Sequence, residues 1–364
     1  MSRSYRPAVP LGESVALEFD NLVSRIAASE QVSPDELLPY LCLEGRAQRA
    51  EVNAMLAEAY SQTPTETGLR QAQVFIRRAW LLSGFSADLL PLYTKISSAL
   101  NDTPDIREAL KRLGMKAAAR GDISEAIRYF NDWQWAYQAF NNLDKYEYDF
   151  DILNCVDELA APHRIPAARQ AAPSSGEKIR LAYLLTGVTE PNSILIKTSI
   201  EFARYHDKSR FDVTFFTAEP DHTIALSPQG EEYLKMFEDL GYQVITAPQL
   251  DSPADSLLAL ADRIRESRPL ILIATAALAD FSQYFITTLR PAPIVIGLVQ
   301  GPAALFAPPA LDWCVAWTKH RLMDCPVNCS WVEKLVADPT RAIRQCEEVY
   351  TRVLKRFSPA GVSA

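Results

Sequence analysis

The residues best suited to chemistry gather in one short stretch, TGVTEPNSIL at residues 186–195. It follows an apolar run and precedes an amphipathic one, so it reads as the turn between a strand and a helix. Gly187 leads it, and Glu190, Asn192 and Ser193 follow within six residues. Backbone amides in such a loop, at the start of a helix, can hold a phosphate. A glutamate there can take a proton from an attacking hydroxyl. Glu190 would also repel a diphosphate, and as a solvated helix-start residue it is equally well explained by the helix dipole. Both readings stand open. A second turn, Gly301-Pro302, closes the apolar run IVIGLV at 294–299, where a bare backbone lets a ligand approach closely. His222, next to Asp221 in EPDHT, is a further acid–base candidate or an ordinary polar loop residue. The candidate catalytic groups are thus Glu190 and His222, with Gly187, Asn192, Ser193, Gly301 and Pro302 as ligand-contacting positions.

Other constellations carry less. His320, Cys325 and Cys329 lie close together, but structural zinc generally takes four ligands and no second pair accompanies them. No metal or resident cofactor is expected. The loop 186–195 has a single glycine, so it is neither a dinucleotide fingerprint nor a phosphate-binding P-loop. Asp280 and Asp312 are expected near strand ends, where each can serve a site or cap a helix or turn.

The elements that must position these residues alternate regularly. KIRLAYLL (178–185), FDVTFFTA (211–218), QVITAP (243–248), LILIATA (270–276), IVIGLV and WCVAW (313–317) are continuous apolar runs of buried-strand type. Helical patterns lie between several of them, at 193–205, 229–240 and 253–266, the last with Ser252 as a plausible N-cap. This alternation specifies a Rossmann-like, doubly wound parallel sheet. Ligands of such sheets bind beyond the carboxyl ends of the strands.

The front of the chain is helical. In ALKRLGMKAAARGDISEAIRYFNDW, Leu113, Gly114, Gly121, Ala126 and Phe130 fall at the spacing of one tetratricopeptide repeat. Small residues there are expected to let two helices approach, with Phe130 filling the groove against a neighbouring hairpin. Ala57, Tyr60, Ala72, Ile76 and Ala79 form a looser second copy. An irregular helical bundle is the plainer alternative. Trp133, Trp135 and Tyr137 are either core residues or anchors for a protein or peptide partner on a concave repeat surface. The division expected is a tetratricopeptide-like helical domain at 12–160, a Pro- and Ser-containing linker at 161–177, the α/β lobe at 178–330 and a returning C-terminal helix at 331–357.

Three segments of the lobe resemble the N-terminal lobe of the O-linked N-acetylglucosamine transferase family, two-lobed GT-B glycosyltransferases preceded by tetratricopeptide repeats. They are TGVTEPNSIL, YHDKSRFDVTFFTAEPDHT (205–223) and LRPAPIVIGLVQGPAALF (289–306). The family has a His-Pro-Thr run in the first; here Glu190 and Asn192 flank Pro191. The family's Gly-Tyr-Thr element is replaced by Ala279-Asp280-Phe281. The end of the chain, from Ala337, resembles the crossing helix that closes many GT-B enzymes. Only 47 residues follow Trp317, so a donor-binding second lobe is expected to be missing. The resemblance implies transfer of a hexose or N-acetylglucosamine from a nucleotide sugar to a protein or glycan, by a chain incomplete or inactive alone. A non-catalytic, repeat-containing interaction scaffold or ligand sensor is the alternative.

Composition narrows the partners. The 364 residues carry a net charge of −8, which argues against nucleic-acid binding and an anionic membrane surface. No apolar run reaches the length of a membrane span. The first residues lack the apolar core of a secretory signal, and six scattered cysteines do not form a disulfide framework, so a cytoplasmic location is expected.

Overall fold

The computed structural model describes residues 13–43, 45–63, 65–140, 149–165, 176–275, 280–299, 310–316, 329–331 and 338–357. Eight helices come first: α1 Glu13–Ala27, α2 Pro34–Leu41, α3 Arg46–Ser61, α4 Glu66–Leu82, α5 Leu90–Ala99, α6 Thr103–Ala119, α7 Ile123–Phe140 and α8 Phe150–Ala160. Strands and helices then alternate: β1 Ile179–Leu185, α9 Ile194–Tyr205, β2 Phe211–Pro220, α10 Asp221–Ala225, α11 Pro228–Asp239, β3 Val244–Ala247, α12 Pro253–Glu266, β4 Ile271–Ala274, α13 Phe281–Thr288 and β5 Ile294–Val299. β6 Trp313–Ala316, β7 Cys329–Trp331 and α14 Pro339–Phe357 complete the order. Two compact units result: Met1–Lys116 with Trp135–Phe140, and Ala117–Gln134 with Asn141–Ala364.

In the first unit, α3 and α4 pack as an antiparallel hairpin. Ala57, Ala72, Ile76 and Ala79 are fully buried between them and their neighbours, while Tyr60 stacks on Phe75 at 5.6 Å. Helices α4, α5 and α6 are tied together by one carboxylate. Asp105 accepts from Tyr93 Oη at 2.7 Å, Ser97 Oγ at 3.0 Å and Arg77 Nε at 2.9 Å.

The second unit is built on a seven-stranded, wholly parallel sheet of order β3-β2-β1-β4-β5-β6-β7. The six strands expected from sequence are all present. β7 adds a seventh, three residues long and too short to show a period. Both faces are covered, as the unbroken apolar strands require. Leu181, Tyr183 and Leu185 join Ile196, Ile200 and Phe202 of α9, and Val349, Tyr350 and Val353 of α14, in one core. Ser252 caps α12 as expected, accepting from Ala254 N at 3.2 Å.

α14 is fastened by a buried polar chain. Tyr183 Oη lies 3.1 Å from Tyr350 Oη and 2.8 Å from His206 Nε2, and His206 Nδ1 lies 3.0 Å from Glu347 Oε1. Glu347 also accepts from the Asp207 amide at 2.8 Å. One proton assignment satisfies every group: Tyr350 donates to Tyr183, Tyr183 to His206 Nε2, and His206 Nδ1 to the Glu347 carboxylate.

Two expectations for the repeat-like segment change. Phe130 is fully buried, but against Phe281 of α13 at 5.7 Å within the α/β unit. Trp133 is also core, edge-on to Phe281 at 6.4 Å. The side chains of Trp135 and Tyr137 lie outside the described residues. Gly121 has φ +74, and a Cβ there would meet nothing within 4 Å. Its glycine therefore serves a left-handed turn, with no close helix approach involved.

Candidate functional site

β1 sits between β2 and β4, so the chain reverses its winding at the carboxyl ends of β1 and β4. That is the switch point where open α/β sheets hold ligands. Parallel register pairs Leu185 with Thr217, which carries the two chains forward together past the strand tips. Gly187 turns the β1 chain at φ +73, and the Glu190 amide closes the turn on Gly187 O at 3.2 Å. The Val188 and Thr189 amides then point at Glu219 near the end of β2. They donate to its two carboxylate oxygens at 2.8 and 2.9 Å. On the β4 side, Asp280 caps α13 through Ser282 N at 2.8 Å and accepts from Thr186 Oγ1 at 2.6 Å.

Three carboxylates thus converge on one edge of the sheet. Burial, and then the charges of Glu219 and Asp280, raise the Glu190 pKa above the ordinary carboxylate value. Its oxygen Oε2 and Ser193 Oγ both lean over Gly187. A Cβ placed on that glycine would stand 2.8 Å from the first and 3.0 Å from the second. Ser193 begins α9 without capping it, and its buried Oγ has no hydrogen-bond partner among the described residues.

Of the candidate residues, Gly187, Glu190 and Ser193 lie together in this loop. Asn192 is exposed at φ +59, and its Oδ1 accepts from Lys197 Nζ at 3.1 Å. His222 lies exposed on α10, with Nε2 3.3 Å from its neighbour Thr223 Oγ1. Gly301 and Pro302 lie outside the described residues, as do His320 and Cys325. Among the described residues no group of three or more His, Cys, Asp or Glu is arranged to hold a metal ion.

Two corrections concern what the loop and the motifs do. The expected phosphate cradle is already filled, because Glu219 takes the Val188 and Thr189 amides. Asp312 does not face the site: it precedes β6, at the amino edge, where it accepts from Val295 N at 2.8 Å and pairs with Arg290 at 3.0 Å. Arg290 also donates to Ala310 O and Pro293 O, so the Arg-Pro-Ala-Pro-Ile string braces the entry into β5 at the edge opposite the candidate cleft. Sequence reasoning missed Glu219 and Thr186. Their signal was available in the parallel register, which sets an acidic residue at the end of β2 beside the loop after β1.

Two substitutions test this geometry. Gly187→Ala is expected to cost about 1–2 kcal/mol, from the left-handed backbone, and to push Glu190 aside. Urea denaturation measures the cost, and hydrogen exchange at the Val188 and Thr189 amides reads the displacement. Glu190→Gln is expected to raise Tm near neutrality by on the order of 1 °C, since a half-exposed carboxylate is well screened. A raised folded-state pKa means that the ionised form weakens the fold. The gain should therefore be present above that raised value, shrink as pH falls through it and vanish below the ordinary 4.5. Melting curves across that range check the sign.

No family model and no curated protein matches the sequence. Among solved structures 41 chains match. One is a mutant of the Thermobaculum terrenum O-GlcNAc transferase, to which this chain is similar with 15% identity and a TM-score of 0.45. The match covers 88% of this chain and 58% of that one, so the chain spans under two thirds of that structure's length. No helix among the described residues is long and apolar enough to cross a membrane.

Proposed function

We propose that this chain is a glycosyltransferase-related protein that supplies the acceptor-side half-cleft for transfer of a sugar from a nucleotide donor to a protein or glycan hydroxyl. The observation that carries this reading is the pairing of Glu190 with the open switch-point edge. A half-buried carboxylate of raised pKa stands where an open sheet receives a ligand, beside Ser193 Oγ, which has no partner among the described residues. In the step proposed, Glu190 takes the proton of the acceptor hydroxyl as that oxygen bonds to the anomeric carbon. The bond from that carbon to the diphosphate breaks, and the nucleoside diphosphate leaves with its electron pair. The leaving group needs positive charge or free amides, which a second, donor-binding lobe would supply.

The test is incorporation of radiolabelled hexose or N-acetylglucosamine from a nucleotide sugar into protein. The reaction contains the chain and a cell extract that lacks it, the extract furnishing both acceptors and a completing lobe. Incorporation that depends on the chain and falls about 100-fold or more with Glu190→Gln supports the reading. Incorporation that is absent, or unchanged by that substitution, overturns it.

A second reading, a non-catalytic scaffold or ligand sensor, draws on the helical unit. A cleft of about 590 Å³ there is lined by Ser33, Glu36, Tyr60, Thr63 and Gln71 among others. That volume lies within the range of small-ligand and peptide-side-chain pockets. Chain-dependent capture of a defined partner, lost on Tyr60→Ala and indifferent to Glu190→Gln, favours the scaffold over the enzyme.

A further inference from the structure

The exposed side chains of α14 are Arg341, Arg344, Glu348, Arg352, Lys355 and Arg356. At about 100° per residue they fall on one stripe, opposite the face of Ile343, Val349, Tyr350 and Val353 that joins the core. The stripe thus holds five cations and one carboxylate, in a chain whose net charge is −8. Helix energetics does not call for this pattern. The macrodipole favours acids in a first turn and bases in a last one. The first turn of α14 has no acid, and Arg341 stands in it against the dipole. Arg344 and Arg352 lie too far in to gain from either end, and Arg352 and Arg356, four residues apart, repel each other. Among the described residues no ion pair engages Arg344, Arg352 or Lys355. Arg210 widens the stripe, donating from Nη2 to Thr351 Oγ1 at 3.2 Å.

We infer that the exposed face of α14 docks an acidic segment of a partner protein, laid along the helix from Arg341 to Arg356. At 1.5 Å per residue that path is about 22 Å long, room for a partner helix of about four turns. Charge complementarity selects the occupant. A membrane surface would want apolar side chains among the cations, and single-stranded nucleic acid would want aromatic ones. The exposed side chains of the stripe include neither. A duplex, whose phosphates run on past the stripe, would meet the acidic remainder of the chain. A carboxylate segment no longer than the stripe avoids that remainder, and Glu348 then faces a lysine or arginine of the partner. The face is separate from the Glu190 loop. Arg210 precedes β2, and the Arg356 guanidinium lies 5.4 Å from the ring centre of Trp313, the first residue of β6, so the stripe borders the amino edge of the sheet.

The experiment titrates the full-length chain into a fluorescein-labelled glutamate–alanine peptide about fifteen residues long, followed by fluorescence anisotropy. A glutamine–alanine peptide of the same length is the neutral control. The acidic peptide alone is expected to bind at about 50 mM salt, and about tenfold or more weakly at about 500 mM. Combining Arg344→Gln, Arg352→Gln and Lys355→Gln should weaken it about tenfold, each exposed pair contributing a factor of about two. Combining Arg70→Gln, Lys95→Gln and Lys235→Gln, the same charge change elsewhere on the surface, should weaken it less than about twofold. Melting curves give a readout that a structural role would move the other way. The α14 triple variant should melt at the wild-type temperature or slightly above it, because like-charge repulsion is relieved. A clearly lowered Tm would mean that these cations hold the helix in place, and overturns the inference. So does equal weakening by the two triple variants, equal binding of the neutral peptide, or no binding of the acidic one at about 50 mM salt. Tighter binding of a duplex oligonucleotide or of phosphatidylserine vesicles at the same face overturns it as well. None of these outcomes depends on sugar transfer, so this inference and the transferase reading stand or fall separately.

Discussion

Replacing Glu347 with alanine should cost about 2–4 kcal/mol of stability, since it leaves the His206 Nδ1 and Asp207 donors without their acceptor, at about 1–3 kcal/mol for a buried one. The carboxylate is buried, and it serves two donors, the part-buried Asp207 amide and the fully buried His206 Nδ1. Without it the imidazole keeps Tyr183 on one side and faces a void on the other. The loss extends to α14, because Tyr350 joins the same chain of hydrogen bonds through Tyr183. Cys346, pushed well up by burial, packs beside it as a neutral thiol. Glu347→Gln keeps an acceptor oxygen and should cost only about 1 kcal/mol. Urea denaturation of the two variants measures the difference. Equal costs would mean that α14 is held by its apolar face alone.

Phe281→Ala is expected to be comparably damaging, at about 3–5 kcal/mol, through the cavity it leaves. Phe281 is the hub of an aromatic cluster in the α/β unit, with Phe130 at 5.7 Å, Trp133 at 6.4 Å and Tyr284 at 6.2 Å. Its amide also donates to Asn131 Oδ1 at 2.7 Å, a bond the substitution leaves in place. The expected signature is a lowered urea midpoint with the N-terminal half of α7 exchanging its amides faster. Phe281→Leu should recover more than half of the loss, since most of the volume returns. Because Asp280, the preceding residue, holds Thr186, the same variant should loosen the loop that carries Glu190.

Much of this protein is written locally. The apolar runs of β1 to β6, the amphipathic stretches of α9, α11 and α12, and the Ser252 cap depend on residues within one or two turns of each other. Periodicity and capping chemistry therefore reveal them. The same holds for the placement of Gly187, Glu190 and Ser193 in a strand-to-helix turn. What tertiary structure decided are relations between residues far apart in the chain. Glu219 reaches the Val188 and Thr189 amides from 31 and 30 residues away, and Glu347 reaches His206 from 141. Phe130 suits the groove of a repeat by its spacing, yet its partner is Phe281. Arg290 belongs to the most distinctive string in the sequence, yet its guanidinium spans backbone carbonyls at the amino edge. Periodicity fixes which face of an element is buried, because that face must leave water. It leaves open which buried face meets which, since apolar surfaces attract without regard to partner, and sheet order and register settle that only once the chain has closed.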